Sequence, residues 1–407
     1  MNIIELFAGA SGLAQGFKRC GQYDIAAMYD IFKPARQSYL AYDPKANYVL
    51  KDVRELQASE VHQQLEGRTL HGIVGGPPCQ GFSLAGKRLT DNDINDLVLA
   101  YGRVINLLKP SFLVMENVPQ LLYHPLFKKL LENLQEKYRI SYAILNAARY
   151  GTPQTRHRFF LIAYQRDYDI TPTFPSPTHG KRGQLIYAYH LTESAHRISL
   201  DKENAEAILG ADPVIAREVA QQTFIVNNII DESLKPFVTV GDAISDVSGV
   251  CDEEQGVICY TSEPASEYQK ALRNGTATVA NCTARQHREK MLKMILSLRE
   301  GGIAQFNDEA GSKRYYSQAY GRLHRDGLAR TLTTYFQNAG SGRFLHYEHP
   351  RTLTIREAAR LQGFPDSFVF YGNLEDQMQL VGNAVPLPLA EAVGRHVAAE
   401  IGHCLPD

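Results

Sequence analysis

Short apolar runs alternate with amphipathic stretches over the first 165 residues of this 407-residue chain. The apolar runs predict strands, and the stretches with apolar residues every three to four positions predict helices. The predicted strands are 2–8, 23–30, 71–76, 111–117, 141–147 and 158–164, and the helices are 12–20, 34–42, 96–109 and 126–138. Such alternation is typical of a parallel sheet covered by helices on both faces. We therefore predict an α/β fold with a doubly wound, Rossmann-like sheet, whose ligands bind beyond the carboxyl ends of the strands.

The alternation stops at a proline-rich stretch, residues 170–180, which predicts a linker. Residues 181–345 lack regular periodicity, and helical patterns return at 353–364 and 385–401. We predict one domain from residues 1–178 plus 370–407, and a second, smaller and irregular domain from residues 179–369. The hinges are expected near 170–180 and 345–370.

Composition and charge exclude several classes of protein. Hydrophobic residues make up 44% of the chain and charged residues 21%, which is ordinary for a globular protein. We find no apolar run long enough to span a membrane and no basic leader at the amino terminus. The six cysteines form no CxxC pair, so we expect no metal centre, and free thiols fit a reducing cytoplasm.

The net charge of −1 hides a strong local asymmetry. Residues 201–270 hold 14 acidic and 4 basic side chains, whereas residues 281–360 hold 14 basic and 7 acidic ones. Tyrosines are interleaved with arginines in the basic block, a pattern that suits phosphate and base contacts, although a solvated surface is the simpler interpretation. The arginines concerned are Arg322, Arg325, Arg330, Arg343 and Arg351.

The stretch GGPPCQGFS, residues 75–83, presents Cys79 in an unusual setting. Most free cysteines are small buried hydrophobes. Here two prolines stiffen the chain before the thiol, and glycines on both sides allow close backbone approach. A stiff polar loop at a strand end suits the presentation of a reactive side chain.

Other strand ends carry residues suited to ligand contacts. FAGASG, residues 7–12, follows the first strand and opens a helix, although it lacks a full GxGxxG pattern. Asp30 ends the second strand, where it could accept from ribose hydroxyls, and Asp52 could accept from an adenine amine. A helix cap and a turn residue are the competing interpretations of these two acids.

Two further motifs supply an acid and two cations. Glu116 follows the apolar run FLVM, so we expect a desolvated carboxyl with a raised pKa that can donate to a ring nitrogen. An ion pair with an arginine is the alternative. In QTRHR, residues 154–158, strand alternation directs Arg156 and Arg158 to one face, where two guanidiniums could bind a phosphate and a carbonyl oxygen.

The chain resembles the DNA cytosine-C5 methyltransferase family, of the bacterial or phage modification type, in six motifs that occur in the family's order. The Pro-Cys-Gln and Glu-Asn-Val elements carry most of the specificity. The resemblance covers about residues 1–180 and 320–405, and the unmatched part is where the family has its variable target-recognition segment. The motifs are FAGASG (7–12), GGPPCQGFS (75–83), MENV (115–118), QTRHR (154–158), RTLTIREAARLQGFPDSF (351–368) and QLVGNAVP (379–386).

The resemblance implies a covalent mechanism. Cys79 would add to carbon 6 of a cytosine, which enables carbon 5 to attack the methyl group of S-adenosyl-L-methionine and leaves S-adenosyl-L-homocysteine. Glu116 would donate to nitrogen 3, and Arg158, supported by Arg156, would bind the carbonyl oxygen. An unassigned base would then remove the carbon-5 proton and Cys79 would leave.

The resemblance also implies a cofactor site in which Phe7 stacks on adenine and Asp30 binds the ribose. The family usually has Glu at the Asp30 position, often followed by an aromatic residue. The shorter acid and the following Ile31 make weaker cofactor binding the expectation. The implied cofactor residues are Phe7, Ala8, Gly9, Gly12, Asp30, Ile31, Asp52, Val53, Pro78, Leu97, Asn383 and Ala384.

Double-stranded DNA is the implied partner, because a cytosine must leave the base stack before carbon 6 can be attacked. Gln80 and Ser83 belong to a polar stretch that would close over the flipped base. Thr331 matches a threonine near the flipped nucleotide's backbone, and Arg322 and Arg351 come from the basic block. We expect a cytoplasmic or nucleoid-associated monomer, with a separately acting restriction endonuclease as a potential partner.

Three alternatives remain open at this point. A tRNA cytosine could replace DNA, although the long variable segment favours duplex readout. A silent DNA-binding relative would lack activity, but Cys79, Glu116 and Arg158 are intact. A cysteine hydrolase would need a histidine near the thiol, and only His157, predicted to point away, lies in a matched motif.

Overall fold

A central sheet organises the described part of the chain. The computed structural model describes residues 1–78, 96–180, 234–247, 256–260, 262–304 and 319–405, with the backbone alone at 96, 189–192 and 225–226. The nine described strands of the central sheet run in the order β10-β9-β6-β8-β5-β4-β1-β2-β3. They are β1 (Asn2–Leu6), β2 (Asp24–Asp30), β3 (Tyr48–Leu50), β4 (Gly72–Gly75), β5 (Phe112–Asn117), β6 (Tyr138–Asn146), β8 (His157–Gln165), β9 (Tyr189–Thr192) and β10 (Ile225–Val226).

Strands β1 to β5 pair in parallel, which confirms the predicted parallel sheet for this half. Strand β8 lies between β5 and β6 and is antiparallel to both. The reason is the short connection between β6 and β8, which spans residues 147–156 and is too short for a crossover helix that would return the chain in parallel. The sheet is therefore mixed: its strands pair in parallel from β5 to the β3 edge and antiparallel from β5 to the β10 edge.

Helices cover both faces of this sheet. Those of the amino-terminal half are α1 (Gly12–Arg19), α2 (Lys33–Tyr42), α3 (Ala58–Leu65), α4 (Asp96–Leu108) and α5 (Pro125–Leu134). The later ones are α6 (Val240–Ile244), α7 (Glu267–Arg273), α8 (Glu289–Ser297), α9 (Ile355–Leu361), α10 (Leu374–Asn383) and α11 (Leu387–Ile401). Sequence periodicity missed β3, which has only three residues, and the helices α3 and α10. It also missed α6, α7 and α8, which lie in the stretch predicted to lack regular periodicity.

The last helix returns to the first. At Gly16 of α1 an added Cβ would lie 2.3 Å from the Cβ of Ala390 in α11, and at Gly12 it would lie 2.3 Å from the carbonyl oxygen of Val385. Only glycine permits this approach. It brings the turn between α10 and α11 against the loop that follows β1.

A second region packs on the sheet without a break in the core. One buried cluster contains Met28 and Tyr39 from the sheet half together with Phe336 and Phe368 from the later region. The Tyr39 and Phe368 rings lie 6.3 Å apart. Two short strands of this region, β11 (Ile258–Cys259) and β12 (Thr278–Val279), pair with each other. The proposed boundary at residue 369 is thus not marked by a gap in packing.

Buried ion pairs stabilise this second region. Arg360 in α9 donates to both carboxyl oxygens of Asp366, at 2.9 and 2.6 Å, and also contacts Asp246. Arg273 reaches Asp246 from α7, at 2.5 Å. Burial of such charges is tolerated only when each finds a partner. Two members of this network, Arg360 and Asp366, come from the sequence ARLQGFPDSF.

Candidate active site

The loop after β1 has a strained backbone. Phe7, Gly9 and Ser11 all have φ between +51° and +58°, a region that non-glycine residues rarely adopt. The loop is held by Asp30 at the end of β2, whose Oδ2 accepts from the amide of Gly9 at 2.8 Å. The hydroxyl of Tyr48 donates to the Gly9 carbonyl at 2.8 Å. Strain maintained by surrounding contacts is common at ligand-binding loops.

A buried carboxyl supports the loop from below. Glu5 accepts from the Ser11 hydroxyl and, at 3.1 Å, from the amide of Ala14 in the first turn of α1. Burial raises the pKa of Glu5 to about 8, because the carboxyl loses its hydration and its hydrogen bonds from Ser11 and Ala14 only partly oppose this. Sequence reasoning did not identify this residue, although an acid inside an apolar strand is a recognisable signal.

The predicted cofactor residues of β2 and the next segment lie at one edge of the sheet. Burial raises the pKa of Asp30, opposed by amide donors from Gly9 and Phe32. Ile31 is 68% exposed. Asp52 caps the turn Val53–Glu55 and pairs with Arg54 at 2.6 Å, and this hydrogen bond lowers its pKa. Asp52 therefore acts as a turn residue, and its contact with adenine stays a prediction.

The remaining predicted cofactor residues differ in their exposure. Ala8 and Val53 are buried, Phe7, Pro78 and Leu97 are half-buried, and Asn383 is exposed at the end of α10. The carbonyl of Ala384 accepts from buried side chains. Apolar Phe7 and Ile31 beside the carboxylate of Asp30 suit a ligand with a planar ring and hydroxyl groups.

The acid and one cation predicted for the chemistry form a buried pair. Oε1 of Glu116, at the end of β5, lies 2.9 Å from Nε of Arg158 in β8, and both side chains are about nine-tenths buried. The register of the two strands explains the pairing. Glu116 lies opposite Phe160, and Arg158, two residues away in β8, is on the same face of the sheet as Phe160. Burial raises the pKa of Glu116, and the charges of Arg158 and Arg156 only partly oppose it. The raised pKa and the ion pair, which the sequence offered as alternatives, are thus both present, and donation to a ring nitrogen stays a prediction.

The segment that leads to Cys79 is fixed beside this pair. Strands β4 and β5 are parallel neighbours, so residues 76–78 leave the sheet next to Glu116. Nδ2 of Asn117 donates to the Pro77 carbonyl at 3.0 Å. Asn117 was missed from the sequence, although a buried amide at a strand end is a signal for such a contact. Cys79, Gln80 and Ser83 themselves lie outside the described residues.

Arg156 has a different environment from Arg158. It is fully buried and donates to the carbonyls of Leu332, Gly382 and Ala384 at 2.8, 2.7 and 3.2 Å. Its charge still interacts with Arg158 and Glu116. The two guanidiniums, predicted to bind one ligand together, thus lie close to each other but bind different partners.

Two arginines predicted to contact DNA point into the protein instead. Arg322 donates to carbonyls that include those of His346 and Leu298, at 2.9 and 2.8 Å. Arg351 forms a double hydrogen bond with Glu357, at 2.7 and 2.8 Å. Both are less than one-tenth exposed. These contacts assign them a structural role, because internal carbonyls and a carboxylate use the donors that a phosphate would need.

Thr331 is placed differently. Its segment pairs with the strand before Arg156: β13 (Ala329–Arg330) runs parallel to β7 (Gln154–Thr155). The Thr331 hydroxyl donates to the Thr155 carbonyl at 3.0 Å, and the residue is half-buried. Its segment is therefore attached directly to the strand that leads to the Glu116–Arg158 pair.

Within the described ranges, no group of three or more His, Cys, Asp or Glu side chains could hold a metal ion. No described helix combines the length and apolar character needed to cross a membrane.

Comparisons with known proteins agree with the geometry. The family model of the C-5 cytosine-specific DNA methylase matches residues 1–399. The Type II methyltransferase M1.HphI of Haemophilus parahaemolyticus is 30% identical, over 98% of this chain and 86% of that protein. M.DdeI of Desulfomicrobium norvegicum, also a Type II methyltransferase, is 28% identical, over 98% and 88%.

Solved structures show the same fold. A protein described as a DNA modification methyltransferase encoded within an E. coli prophage superposes with a TM-score of 0.69 at 23% identity, over 99% of both chains. The Dnmt2 methyltransferase of S. pombe gives 0.55 at 14% identity, again over 99% of both chains.

Proposed function

The chain belongs to the C-5 cytosine-specific DNA methylase family, and we propose that it methylates carbon 5 of one cytosine within a short, specific duplex sequence. Its relatives named as Type II methyltransferases support a role in a restriction-modification or phage modification system. The observation that carries the proposal is the buried Glu116–Arg158 pair, where burial keeps the pKa of the glutamate raised beside the segment leading to Cys79.

The proposed chemistry starts with the cytosine ring. Addition of the Cys79 thiolate to carbon 6 pushes electrons toward nitrogen 3, which needs a proton donor. Glu116 supplies that proton, since its raised pKa keeps a proton on the carboxyl more readily than in water. Arg158 binds the carbonyl oxygen with guanidinium nitrogens other than the Nε that contacts Glu116.

The residues of the strained loop suit the methyl donor. When bound, S-adenosyl-L-methionine supplies a methyl group on a positively charged sulfur, and S-adenosyl-L-homocysteine is left after transfer. We assign its adenosine to the edge formed by Phe7, Asp30 and Ile31, where apolar surface adjoins a carboxylate held by backbone amides. We also assign a contact with the methyl donor to Asn383, at the end of α10. No metal takes part in the proposal.

Duplex DNA is the proposed substrate, and a single copy of the chain is the proposed active form. We assign Thr331 to the DNA backbone, and the pairing of its segment with β7, next to Arg156, supports this assignment. The site of action would be bacterial DNA in the cytoplasm or nucleoid, and a restriction endonuclease that recognises the same sequence would act separately.

A trapping experiment tests the covalent step. Bisulfite sequencing of DNA methylated by the purified protein first identifies the target sequence. A duplex with 5-fluorocytosine at that position, together with S-adenosyl-L-methionine, is expected to form a stable adduct. Because fluorine replaces the proton that must leave carbon 5 before the cysteine is eliminated, the enzyme stays attached to the DNA. Cys79→Ser should give none. Methylation confined to tRNA, or methylation that proceeds in Cys79→Ser, would overturn the proposal.

A further inference from the structure

Three polar side chains of the described core meet in one buried group. Gln154, Arg156 and Gln362 come from β7, from the residue before β8 and from the end of α9, and all three are fully buried. We call them the buried junction. Nε2 of Gln154 donates to Oε1 of Gln362 at 3.1 Å, and Arg156 and Gln362 share the carbonyl of Ala384.

On one side the junction holds the turn between α10 and α11. The last carbonyls of a helix lack partners within the helix, and Pro386 prevents its continuation. Nε2 of Gln362 donates to the carbonyls of Val381 and Ala384, at 2.8 and 3.3 Å. Arg156 donates to Gly382 and again to Ala384, and a cation at a helix carboxyl terminus is favourable. Asn383, the exposed residue of this turn, lies between the held carbonyls.

On the other side the junction holds the segment that contains Thr331. Oε1 of Gln154 accepts from the amide of Leu332 at 2.8 Å, and Arg156 donates to the carbonyl of the same residue. The amide and the carbonyl of Leu332 are therefore fixed by Gln154 and Arg156, which closely precede Arg158 in the chain. One rigid group thus connects the turn of Asn383, the segment of Thr331 and the strand of the buried ion pair.

We propose that Gln362 is a positioning residue for the methyl donor: it fixes the backbone on both sides of Asn383 and so presents the Asn383 side chain to S-adenosyl-L-methionine. The inference rests on the proposed function. Gln362 touches neither substrate in this scheme. It acts by ordering the turn in advance, so that the ordering cost is not taken from the binding free energy.

Gln362→Met tests this, because methionine has a similar volume and no amide. We expect S-adenosyl-L-homocysteine, measured by calorimetry, to bind about tenfold more weakly, since two donors to the turn are lost. The KM for S-adenosyl-L-methionine should rise by a similar factor, while kcat at saturation changes less than about twofold. A fall in kcat with unchanged KM would contradict positioning.

The matched control is Gln269→Met. Gln269 in α7 is also fully buried, and its amide binds Ala265, Gly241 and Ser245, away from the turn. This variant loses as many hydrogen bonds but should bind the ligand like the wild type. Equal weakening in both variants would show that loss of a buried amide, and not the junction, is responsible.

A double variant separates positioning from a merely structural role. If Gln362 acts through Asn383, then Gln362→Met should weaken binding by less than about twofold once Asn383→Ala is present. Additive effects would overturn the proposal.

A second measurement needs no ligand: amide exchange in residues 374–390 should speed up about tenfold in Gln362→Met and stay unchanged in Gln269→Met. Unchanged exchange in Gln362→Met would overturn the inference, whether or not the wild type binds the methyl donor. Failure of the wild type to bind the methyl donor would instead defeat the proposed function.

Discussion

Glu116 in the sheet and Glu357 in the second region are both buried carboxyls beside an arginine, yet their pKa values are shifted in opposite directions. Burial raises the pKa of Glu116, and its single described ion pair does not reverse the effect. Burial also disfavours the charge on Glu357, but its partners outweigh it and lower its pKa to about 2.

The number of donors explains the difference. Glu357 accepts from two nitrogens of Arg351 and, at 2.8 Å, from the amide of Thr354, whose side chain caps the same helix. Such a carboxylate is stable only when charged. Glu116 faces Nε of Arg158, and the nearby Arg156 directs its hydrogen bonds to carbonyls. A buried acid that accepts few hydrogen bonds has a raised pKa and can carry a proton for transfer. A buried acid that accepts many hydrogen bonds stays charged and has a structural role.

The largest expected effect of breaking this contrast is on the reaction itself. Glu116→Gln should slow single-turnover methylation roughly 10²–10⁴-fold, because an amide cannot deliver a proton to nitrogen 3. Glu357→Gln, the matched control, should keep the rate per folded molecule within a few-fold. A wild-type rate in Glu116→Gln would remove this residue from the mechanism.

The pH profile belongs to the same test. Since Glu116 acts while protonated, the wild-type rate should fall as pH rises through its raised pKa, and this limb should be missing in Glu116→Gln.

For stability we expect the opposite ranking, with the larger effect at Glu357. Glu357→Gln should lower the free energy of unfolding by about 4 kcal/mol at pH 7, since Arg351 keeps a buried charge without a countercharge. Urea denaturation measures this, with Glu132→Gln as control, because Glu132 and Lys128 form an exposed pair worth less than about 1 kcal/mol. The contribution of Glu357 is present above pH 4.5 and is lost as pH falls toward 2, so the deficit of Glu357→Gln should disappear in acid. A deficit that persists there would rule out the ion pair as its cause.

How far the sequence predicted these two sites follows from the range of the interactions. Glu116 could be found, because its burial and its place at a strand end are encoded in the neighbouring residues FLVM. The parallel half of the sheet was predictable for the same reason. The structural roles of Arg322 and Arg351 were not predictable, because their partners lie across turns of the chain that local sequence patterns do not describe.

The buried junction shows the same limit at longer range. Gln154 and Gln362 are 208 positions apart, and nothing near either residue indicates the other. Their burial could be suspected only from the apolar residues around them. Contacts of this kind depend on the packing of the second region against the sheet, which periodicity alone does not reveal.

A third buried acid sharpens the comparison. Glu5 has a pKa of about 8 in the fold against 4.5 in an open chain, so the fold binds an extra proton between these values. The contribution of Glu5 to stability is therefore fully present below pH 4.5 and falls as pH rises toward 8, by on the order of 4 kcal/mol. In Glu5→Gln this decline should be absent, as urea denaturation at pH 5, 6.5 and 8 would show. An equal decline in both proteins would mean that another group is responsible.

The smallest expected effect concerns the space around Glu116. A Cβ added at Gly76 would lie 3.0 Å from Oε2 of Glu116, so Gly76→Ala should displace that carboxyl by a few tenths of an ångström. Because general acids act only at hydrogen-bond distance, we expect methylation to slow about tenfold with normal stability. Gly327→Ala, whose Cβ would meet His324 at 3.3 Å in the second region, should change neither quantity. An unaltered rate in Gly76→Ala would show that the position of Glu116 tolerates more movement than the buried pair suggests.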